Sequence, residues 1–189
     1  MKKLLVAAFV LLQTSVFAQS TWKADKAHSQ LGFSITHLGI NDVSGTFQNF
    51  DVTMTAAKED FSDAVIEMSA DVASIDTGIE PRDKHLKSED FFNATANPKM
   101  TFKSTSVKKS GTNKYKVTGN LTLNGVTKPV TMDLWYRGTV ENPMSKKPTA
   151  GFQLTGTLKR SDFNFGSKFP APMLSDEVQI KANGEFTKS

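Results

Sequence analysis

The 189-residue sequence contains no cysteine. This absence excludes disulfide bonds, thiolate catalysis, cysteine-ligated metal centres and lipid attachment through an N-terminal cysteine. A chain without cross-links must be stabilised by burial of its apolar side chains, which a chain of this length permits. Hydrophobic residues make up 38% and charged residues 22% of the sequence, proportions that are typical of one soluble globular domain.

The sequence also lacks a cluster of basic residues. The formal net charge is +4, and two of the lysines belong to an N-terminal segment considered next. The other lysines are scattered among acidic residues and form only short pairs, such as Lys108 with Lys109 and Lys146 with Lys147. Because nucleic-acid binding needs cations gathered on one face, the sequence predicts no nucleic-acid partner.

Long apolar runs are missing too, except near the start of the chain. Lys2 and Lys3 precede an apolar run over residues 4–12, and a small-residue exit ends at Ala18. This layout is that of a secretory signal peptide, and the run is shorter than the roughly 20 residues of a membrane-spanning helix. We therefore predict a signal peptide at 1–18, a mature domain at 19–189 without a transmembrane anchor, and a periplasmic or secreted location.

Most of the remaining chain alternates between apolar and polar residues with a period of two, which predicts half-buried strands. In the stretch 28–37, Leu31, Phe33 and Ile35 share one face with His37. The same alternation recurs over residues 64–74, 114–123, 126–138, 151–160 and 177–186. Asn124 and Gly125, between two of these stretches, fit a tight hairpin turn. Strands therefore dominate the predicted structure.

Interruptions of the alternation indicate a curved sheet. The apolar parity changes between Val43 and Met54, which predicts either a β-bulge or a turn near Gln48 and Asn49. Glycines within predicted strands, Gly32, Gly45, Gly119, Gly156 and Gly184, suggest strong bending. The predicted fold is all-β, an antiparallel barrel of about eight strands that is either solid or hollow.

The segment from Ser74 to Phe92 differs from the rest and predicts one short helix that caps the barrel. Asp76 or Thr77 can cap this helix, and Pro81 suits its first turn. His85 and Ser88 raise the alternative of a hydrolase, but no nucleophile motif surrounds Ser88. The three histidines, His28, His37 and His85, show no spacing typical of metal ligands, so we expect no metal.

Four motifs together resemble the YceI-like polyisoprenoid-binding family. They are WKADKAHSQLGFSITHLGINDVSGTF, SIDTGIEPRDKHLKSEDFF, GNLTLNGVTKPVTM and KRSDFNFG, which begin at Trp22, Ser74, Gly119 and Lys159. They cover nearly all of the predicted mature chain in the family's order. The resemblance implies an extended, lipocalin-like barrel that encloses a long isoprenoid chain in its lumen, in a protein that is usually periplasmic or secreted.

Apolar, adaptable walls suit such a ligand, and the chain has 14 Phe but only two Tyr and two Trp. The predicted lumen residues, which share the apolar faces of the strands or belong to the family motifs, are Leu31, Phe33, Ile35, Phe47, Ile66, Met68, Leu121, Leu123, Met132, Leu134, Phe152, Leu154 and Phe163. The predicted contacts at the mouth or with a headgroup are His37, Arg82, Lys84, His85 and Arg160.

The sequence predicts an isoprenoid or similar amphipathic lipid as ligand, with no other cofactor and no catalysis. Two alternatives stay open at this point: a periplasmic hydrolase that uses His85, and a solid barrel that acts through protein contacts. The oligomeric state is also open, a homodimer being one option.

Overall fold

The structure is a computed structural model that describes residues 18–189. The predicted signal peptide falls almost entirely outside these residues and stays a prediction. The strands are β1 (Ser20–Ala24), β2 (Gln30–His37), β3 (Asn41–Phe47), β4 (Phe50–Ala56), β5 (Val65–Asp71), β6 (Ile75–Asp76), β7 (Lys99–Gly111), β8 (Lys114–Leu123), β9 (Val126–Glu141), β10 (Pro148–Lys159) and β11 (Leu174–Lys188). One α-helix, α1, spans Glu80–Leu86.

The strands form one antiparallel sheet that closes into a barrel of eight strands. The closed ring runs in the order β1, β4, β5, β7, β8, β9, β10 and β11, and β11 returns to pair with β1. The three further strands, β2, β3 and β6, extend this sheet from the other part of β11. The predicted all-β antiparallel barrel of about eight strands with one short helix is therefore confirmed.

The three extra strands result from breaks in three stretches of chain, each of which would otherwise form one long strand. A 3-10 helix at Lys26–His28 separates β1 from β2, and another at Val72–Ser74 separates β5 from β6. Gln48 and Asn49 separate β3 from β4, where the change of apolar parity predicted a bulge or turn. These breaks divide the barrel wall into two parts, which we call lower (β1, β4 and β5) and upper (β2, β3 and β6).

The lower end of the barrel is closed by the loop between β4 and β5. Phe61 of this loop is only 1% exposed and lies against Trp22, Tyr136 and Phe152, with ring centroids 4.9 to 5.2 Å apart. The hydroxyl of Tyr115 donates a hydrogen bond to the carbonyl oxygen of Asp60 in the same loop. We call this end the plug.

The upper end, which we call the mouth, carries α1 and two irregular connections. Residues 77–98 link β6 to β7, and residues 160–173 link β10 to β11. The apolar cluster here includes Phe91, Phe92 and Phe163, all of them buried. Across residues 18–189, no helix is long and apolar enough to cross a membrane.

Several local predictions need correction. The strands β1 and β7 were not predicted from the sequence, although they hold two positions in the ring. The N-cap of α1 is Ile79, which makes no side-chain capping bond, rather than Asp76 or Thr77. The Asn124–Gly125 turn agrees with the prediction: both residues have positive φ, 50° and 73°, as this type of hairpin turn requires.

Candidate ligand-binding cavity

An apolar cavity of about 510 Å³ lies inside the barrel between the mouth and the plug. Its inner end is bordered by Met54, Ile66 and Phe152, and its outer end by His37 and Met173. No lysine, aspartate or glutamate lines it among the residues that the structure describes. Its volume falls in the range of small-molecule sites, and its lining favours hydrocarbon over polar ligands.

All thirteen predicted lumen residues lie on the wall of this cavity. They are Leu31, Phe33, Ile35, Phe47, Ile66, Met68, Leu121, Leu123, Met132, Leu134, Phe152, Leu154 and Phe163. For those on strands the reason is geometric, because one face of each alternating strand in the curved sheet turns inward. Phe163 lies instead in a 3-10 helix at Arg160–Phe163. Contact of all these residues with a ligand stays a prediction.

Three glycines shape the cavity by leaving room for large neighbours. A Cβ atom on Gly45 would lie 2.5 Å from the ring of Phe33, and one on Gly119 would overlap the ring of Phe102. A Cβ atom on Gly156 would overlap the sulfur of Met132. These side chains therefore approach the strand backbone more closely than a larger residue at the glycine position would allow.

The predicted mouth residues differ in their placement. His37, Arg82, His85 and Arg160 line the cavity, whereas Lys84 is exposed on α1 and does not. Contact between Lys84 and a headgroup outside the cavity stays a prediction. On a helix, side chains one or two residues apart point in different directions, so Arg82 and Lys84 do not share a face.

Arg82 is held by Thr77, in the turn before α1. Its Nε donates to Thr77 Oγ1 at 2.7 Å and its Nη2 donates to the Thr77 carbonyl oxygen at 2.6 Å. Asp83 Oδ1 accepts from the amide N of Thr77 at 2.9 Å and from its hydroxyl at 2.5 Å. These four bonds fix the start of the helix in place of an ordinary N-cap.

Arg160 is buried, and its guanidinium is saturated by five backbone carbonyl oxygens. Nε donates to Ser175 at 2.9 Å, Nη1 to Phe165 at 3.0 Å and Gly166 at 2.7 Å, and Nη2 to Phe169 at 2.5 Å and Leu174 at 3.1 Å. This arrangement leaves no donor for a lipid headgroup. The position of Arg160 on the cavity wall was predicted, but its role is to hold the connection 160–173 across the mouth.

His85 belongs to a contact between α1 and the same connection. Its ring packs edge-on against Phe91 and Phe169, with centroids 5.0 and 5.6 Å away. Asp90 accepts from Lys168 Nζ at 2.5 Å and lies 3.2 Å from His85 Nε2. The ammonium of Lys168, and secondly His85, hold the pKa of the Asp90 carboxyl below its usual value.

The hydrolase alternative rests on His85 and Ser88, whose side chains are not hydrogen-bonded to each other. Ser88 Oγ donates to the backbone carbonyl oxygen of His85 at 2.7 Å, not to its imidazole ring. A serine nucleophile needs a base within hydrogen-bond reach of its hydroxyl. The Ser88 hydroxyl instead stabilises the turn that follows α1.

Sequence reasoning missed part of the cavity wall. Met100 and Phe102 line it from β7, and Phe165 and Phe169 line it from the connection 160–173. Met100 and Phe102 do alternate, which is the signal that could have identified them. Phe165 and Phe169 lie in an irregular segment, where no periodicity indicates which way a side chain points.

One cluster outside the cavity offers potential metal ligands. Asp25, His28 and Glu185 place one ligand atom each within 4.8 Å of one another. Asp25 and His28 form an ion pair of 2.9 Å, in which the side chain of His28 is 63% exposed. Hydrogen bonding to Asp25 raises the pKa of His28. An exposed pair of this kind is common without a metal, and we assign none.

The comparison with known proteins agrees with this geometry. The YceI-like domain matches residues 22–186, which is almost the whole described chain. The chain belongs to the YceI-like family. This YceI-like protein is 41% identical over 182 residues to the UPF0312 protein plu2095 of Photorhabdus laumondii, a match that covers 95% of this chain and 94% of the relative.

Solved structures of related proteins have the same barrel. BcnA of Burkholderia cenocepacia superposes on this YceI-like protein with a TM-score of 0.77 and 28% identity, over 86% of this chain and 98% of BcnA. A domain of Saccharophagus degradans, described as a polyisoprenoid binding domain implicated in plant cell wall breakdown, gives a TM-score of 0.68. It is 14% identical, over 89% of this chain and 98% of that domain, and at this identity the likeness concerns the fold.

Proposed function

We propose that this YceI-like protein is an exported lipid-binding protein that encloses an isoprenoid, or a similar amphipathic lipid, in the barrel cavity. The observation that carries the proposal is the predominantly apolar wall of the 510 Å³ cavity. Further support comes from the family and from the polyisoprenoid binding domain that shares its fold. The role is carriage, storage or sequestration of the lipid, and it includes no catalytic step.

The energetics favour such a ligand. Burial of one five-carbon isoprene unit contributes about 3 to 4 kcal/mol, at about 0.8 kcal/mol per methylene group. A few units therefore outweigh the cost of association, on the order of 4–15 kcal/mol. Binding of this kind needs no charged clamp at the mouth, in keeping with an Arg160 that is fully engaged by backbone.

The test is mass spectrometry of an organic extract of the purified protein. We expect an isoprenoid or another long-chain lipid in about equimolar amount with the barrel. A protein that carries no lipid, and takes none up from vesicles that contain isoprenoids, would contradict the proposal. Hydrolysis of a lipid ester that is lost in His85→Ala would instead support the hydrolase.

Export has its own test. Since Ala18 ends the signal-like segment, the mature protein should begin at Gln19. N-terminal analysis of protein from the periplasm or medium should find this terminus. An intact Met1 on exported material would contradict the processing site.

A further inference from the structure

The rim of the mouth carries a set of exposed apolar side chains. Within residues 18–189, eight large apolar residues are exposed, and four of them lie around the mouth. They are Leu38 and Ile40 in the turn between β2 and β3, Ile79 at the N-cap of α1, and Met173 at the end of the connection 160–173. We call these four residues the rim patch. Ile40 is 85% exposed, and the other three are half-exposed.

The rim patch is continuous with the wall of the cavity. The amide N of Leu38 donates to the carbonyl oxygen of Met173 at 3.0 Å, which joins two of its segments. Met173 itself lines the cavity, and so do His37, next to Leu38, and Arg82, one helical turn after Ile79. A molecule that enters or leaves the cavity through the mouth therefore passes the rim patch.

The turn that presents Leu38 contains a residue that its backbone does not favour. A backbone hydrogen bond of 3.2 Å closes the turn over residues 37–40, and its central residues, Leu38 and Gly39, have positive φ, 53° and 72°. The Asn124–Gly125 turn has almost the same angles with asparagine in the first position. Asparagine adopts left-handed backbone readily, whereas leucine does so at a cost in free energy. Leucine thus gives this turn no advantage over asparagine, but it adds an apolar side chain to the rim.

The charges around the rim patch indicate the kind of surface that it meets. The segments that carry the patch, residues 37–41, 77–79 and 169–175, contain no lysine, arginine, aspartate or glutamate. Exposed charges of both signs begin directly outside them, at Asp42, Glu80 and Lys168. A protein partner recognised by charge would need one sign to prevail. An uncharged apolar rim with mixed charges behind it suits the interface of a lipid bilayer, where apolar side chains enter and charged ones stay in water.

We propose that the rim patch docks on the surface of a lipid bilayer, with Leu38 and Ile40 inserted among the lipids and the mouth turned toward the membrane. The inference rests on the proposed function and deepens it, because it names the partner from which lipid is taken or to which it is delivered. In the docked protein a lipid tail can move between bilayer and cavity without exposure to water, which is the costly state of an apolar chain. Because the contact is apolar, bilayers of zwitterionic lipid suffice for docking.

The first experiment compares Ile40→Asp with Met144→Asp, a control in the loop between β9 and β10 at the plug end. Met144 is 92% exposed, so neither substitution disturbs packed side chains. Binding of the purified protein is measured by flotation with phosphatidylcholine vesicles. Ile40→Asp should weaken binding at least tenfold, because a carboxylate replaces an apolar side chain that leaves water on insertion. Met144→Asp should bind like wild type, and added salt should change little, since screening acts on charges.

Leu38→Asn separates docking from folding. Because asparagine suits the left-handed backbone at this position, the variant should melt at or above the wild-type temperature. It should nevertheless bind the same vesicles several-fold more weakly than wild type, because it lacks the apolar side chain. A residue needed only for the turn would not separate the two measurements in this way.

Tryptophan fluorescence identifies the end of the barrel that meets the bilayer. Phosphatidylcholine vesicles with brominated acyl chains should quench the added fluorescence of Ile40→Trp but not that of Met144→Trp. The natural Trp135, which is exposed on β9, should stay unquenched, and so should the buried Trp22.

Several results would overturn docking through the rim patch. They are absence of vesicle binding by wild type, equal weakening by Ile40→Asp and Met144→Asp, unchanged binding of Leu38→Asn, and quenching of Trp135. A wild-type dimer that Ile40→Asp dissociates would overturn it as well, since a second copy of the chain would then cover the patch.

Failure of the docking site and failure of the proposed function give different results. Protein that yields lipid on extraction but does not bind vesicles would keep the function and lose the docking site. Protein that carries and takes up no lipid, yet binds vesicles through Ile40, would keep the docking site and contradict the function.

Discussion

The two ends of the barrel are both packed with phenylalanine but are held in different ways. At the plug, Phe61 sits among rings that project from regular strands, with Phe152 only 4.9 Å away. At the mouth, Phe91 and Phe169 stack at the same 4.9 Å, but both belong to irregular segments. Those segments are fixed by polar contacts, chiefly around Arg160 and Asp90.

This difference suggests that the plug supports the stability of the barrel and that the mouth controls access of ligand to the cavity. Opening the plug would separate Phe61 from rings that belong to the paired strands of the barrel. Opening the mouth would also expose buried rings, but these belong to connections that can move while the strands stay paired. Local opening of such connections costs less free energy than global unfolding of the domain. We therefore expect substitutions at the plug to unfold the protein and substitutions at the mouth to release ligand.

The largest effect should come from a charge placed at each end of the lumen. Phe152→Asp buries an unpaired carboxylate in the packed cluster near the plug and should unfold the barrel. Phe33→Asp places the carboxylate on the cavity wall, where water can enter, and should eject lipid from a folded barrel. Circular dichroism and lipid extraction on both variants provide the measurement. Loss of the strand signal in both would mean that the cavity behaves as a packed core.

Truncation of the buried Phe61 ring at the plug should have the next largest effect. Phe61→Ala should lower the free energy of unfolding by about 3–5 kcal/mol, the usual cost of truncating a buried aromatic ring. Phe169→Ala, at the half-buried mouth, is the matched control and should cost less than half as much. Urea denaturation measures both. Equal losses would contradict the distinction between the two ends.

Arg160→Met should loosen the mouth while the strands persist. The substitution leaves five carbonyl oxygens without their donor, and we expect a loss of about 3 kcal/mol. Arg160→Lys should not restore this stability, because an ammonium cannot reproduce the planar fork of donors. Hydrogen exchange should rise over residues 160–174 and not in β8. A uniform rise over the whole barrel would show that Arg160 supports more than the mouth.

Leu86→Ala should produce a smaller change. Leu86 lines the cavity from α1 but is half-buried, so we expect a loss of about 1 kcal/mol rather than the 2–5 kcal/mol of a buried leucine. Lipid should exchange faster into vesicles, as a leakier cap would allow. Lys84→Ala, on the exposed side of the same helix, should change neither quantity. A loss as large as that of Phe61→Ala would place Leu86 in the structural core.

The smallest effect concerns Asp90, whose pKa is lowered from 3.8 by Lys168 and by His85. A lowered pKa in the folded state stabilises the protein at pH values above 3.8, and this contribution disappears as pH falls through the folded-state value. The stability difference between wild type and Asp90→Asn should therefore be constant near neutral pH and shrink below 3.8. Because the pair is exposed, added salt should reduce it. A difference that grows in acid would refute the assignment.

The parts of the fold that could be predicted are those in which a local residue pattern is compatible with only one local structure. The clean alternation of β2 and β8 and the Asn124–Gly125 turn identified strands and register directly. In β7, by contrast, the register shifts between Ser104 and Ser106, so Met100 and Phe102 fall on the opposite parity from Val107. A bulge of this kind breaks the alternation of apolar and polar residues, so the sequence pattern no longer identifies the segment as one strand.

The candidate site was predictable to the same degree. Lumen residues on alternating strands could be assigned because closure of the barrel turns one face inward. The engagement of Arg160 by backbone oxygens could not, since those carbonyls lie in an irregular connection without a sequence signal.

The pairing of β11 with β1 has a consequence for how the molecule is made. Trp22 pairs with Lys188, so the contact that closes the ring joins the two ends of the described chain. Contacts of such long sequence separation slow folding, because most of the chain must be ordered before they form. Until β11 pairs with them, β1 and β2 each have one unpaired edge that can pair with other chains. A chain that lacks its last strand is therefore expected to associate through these two edges.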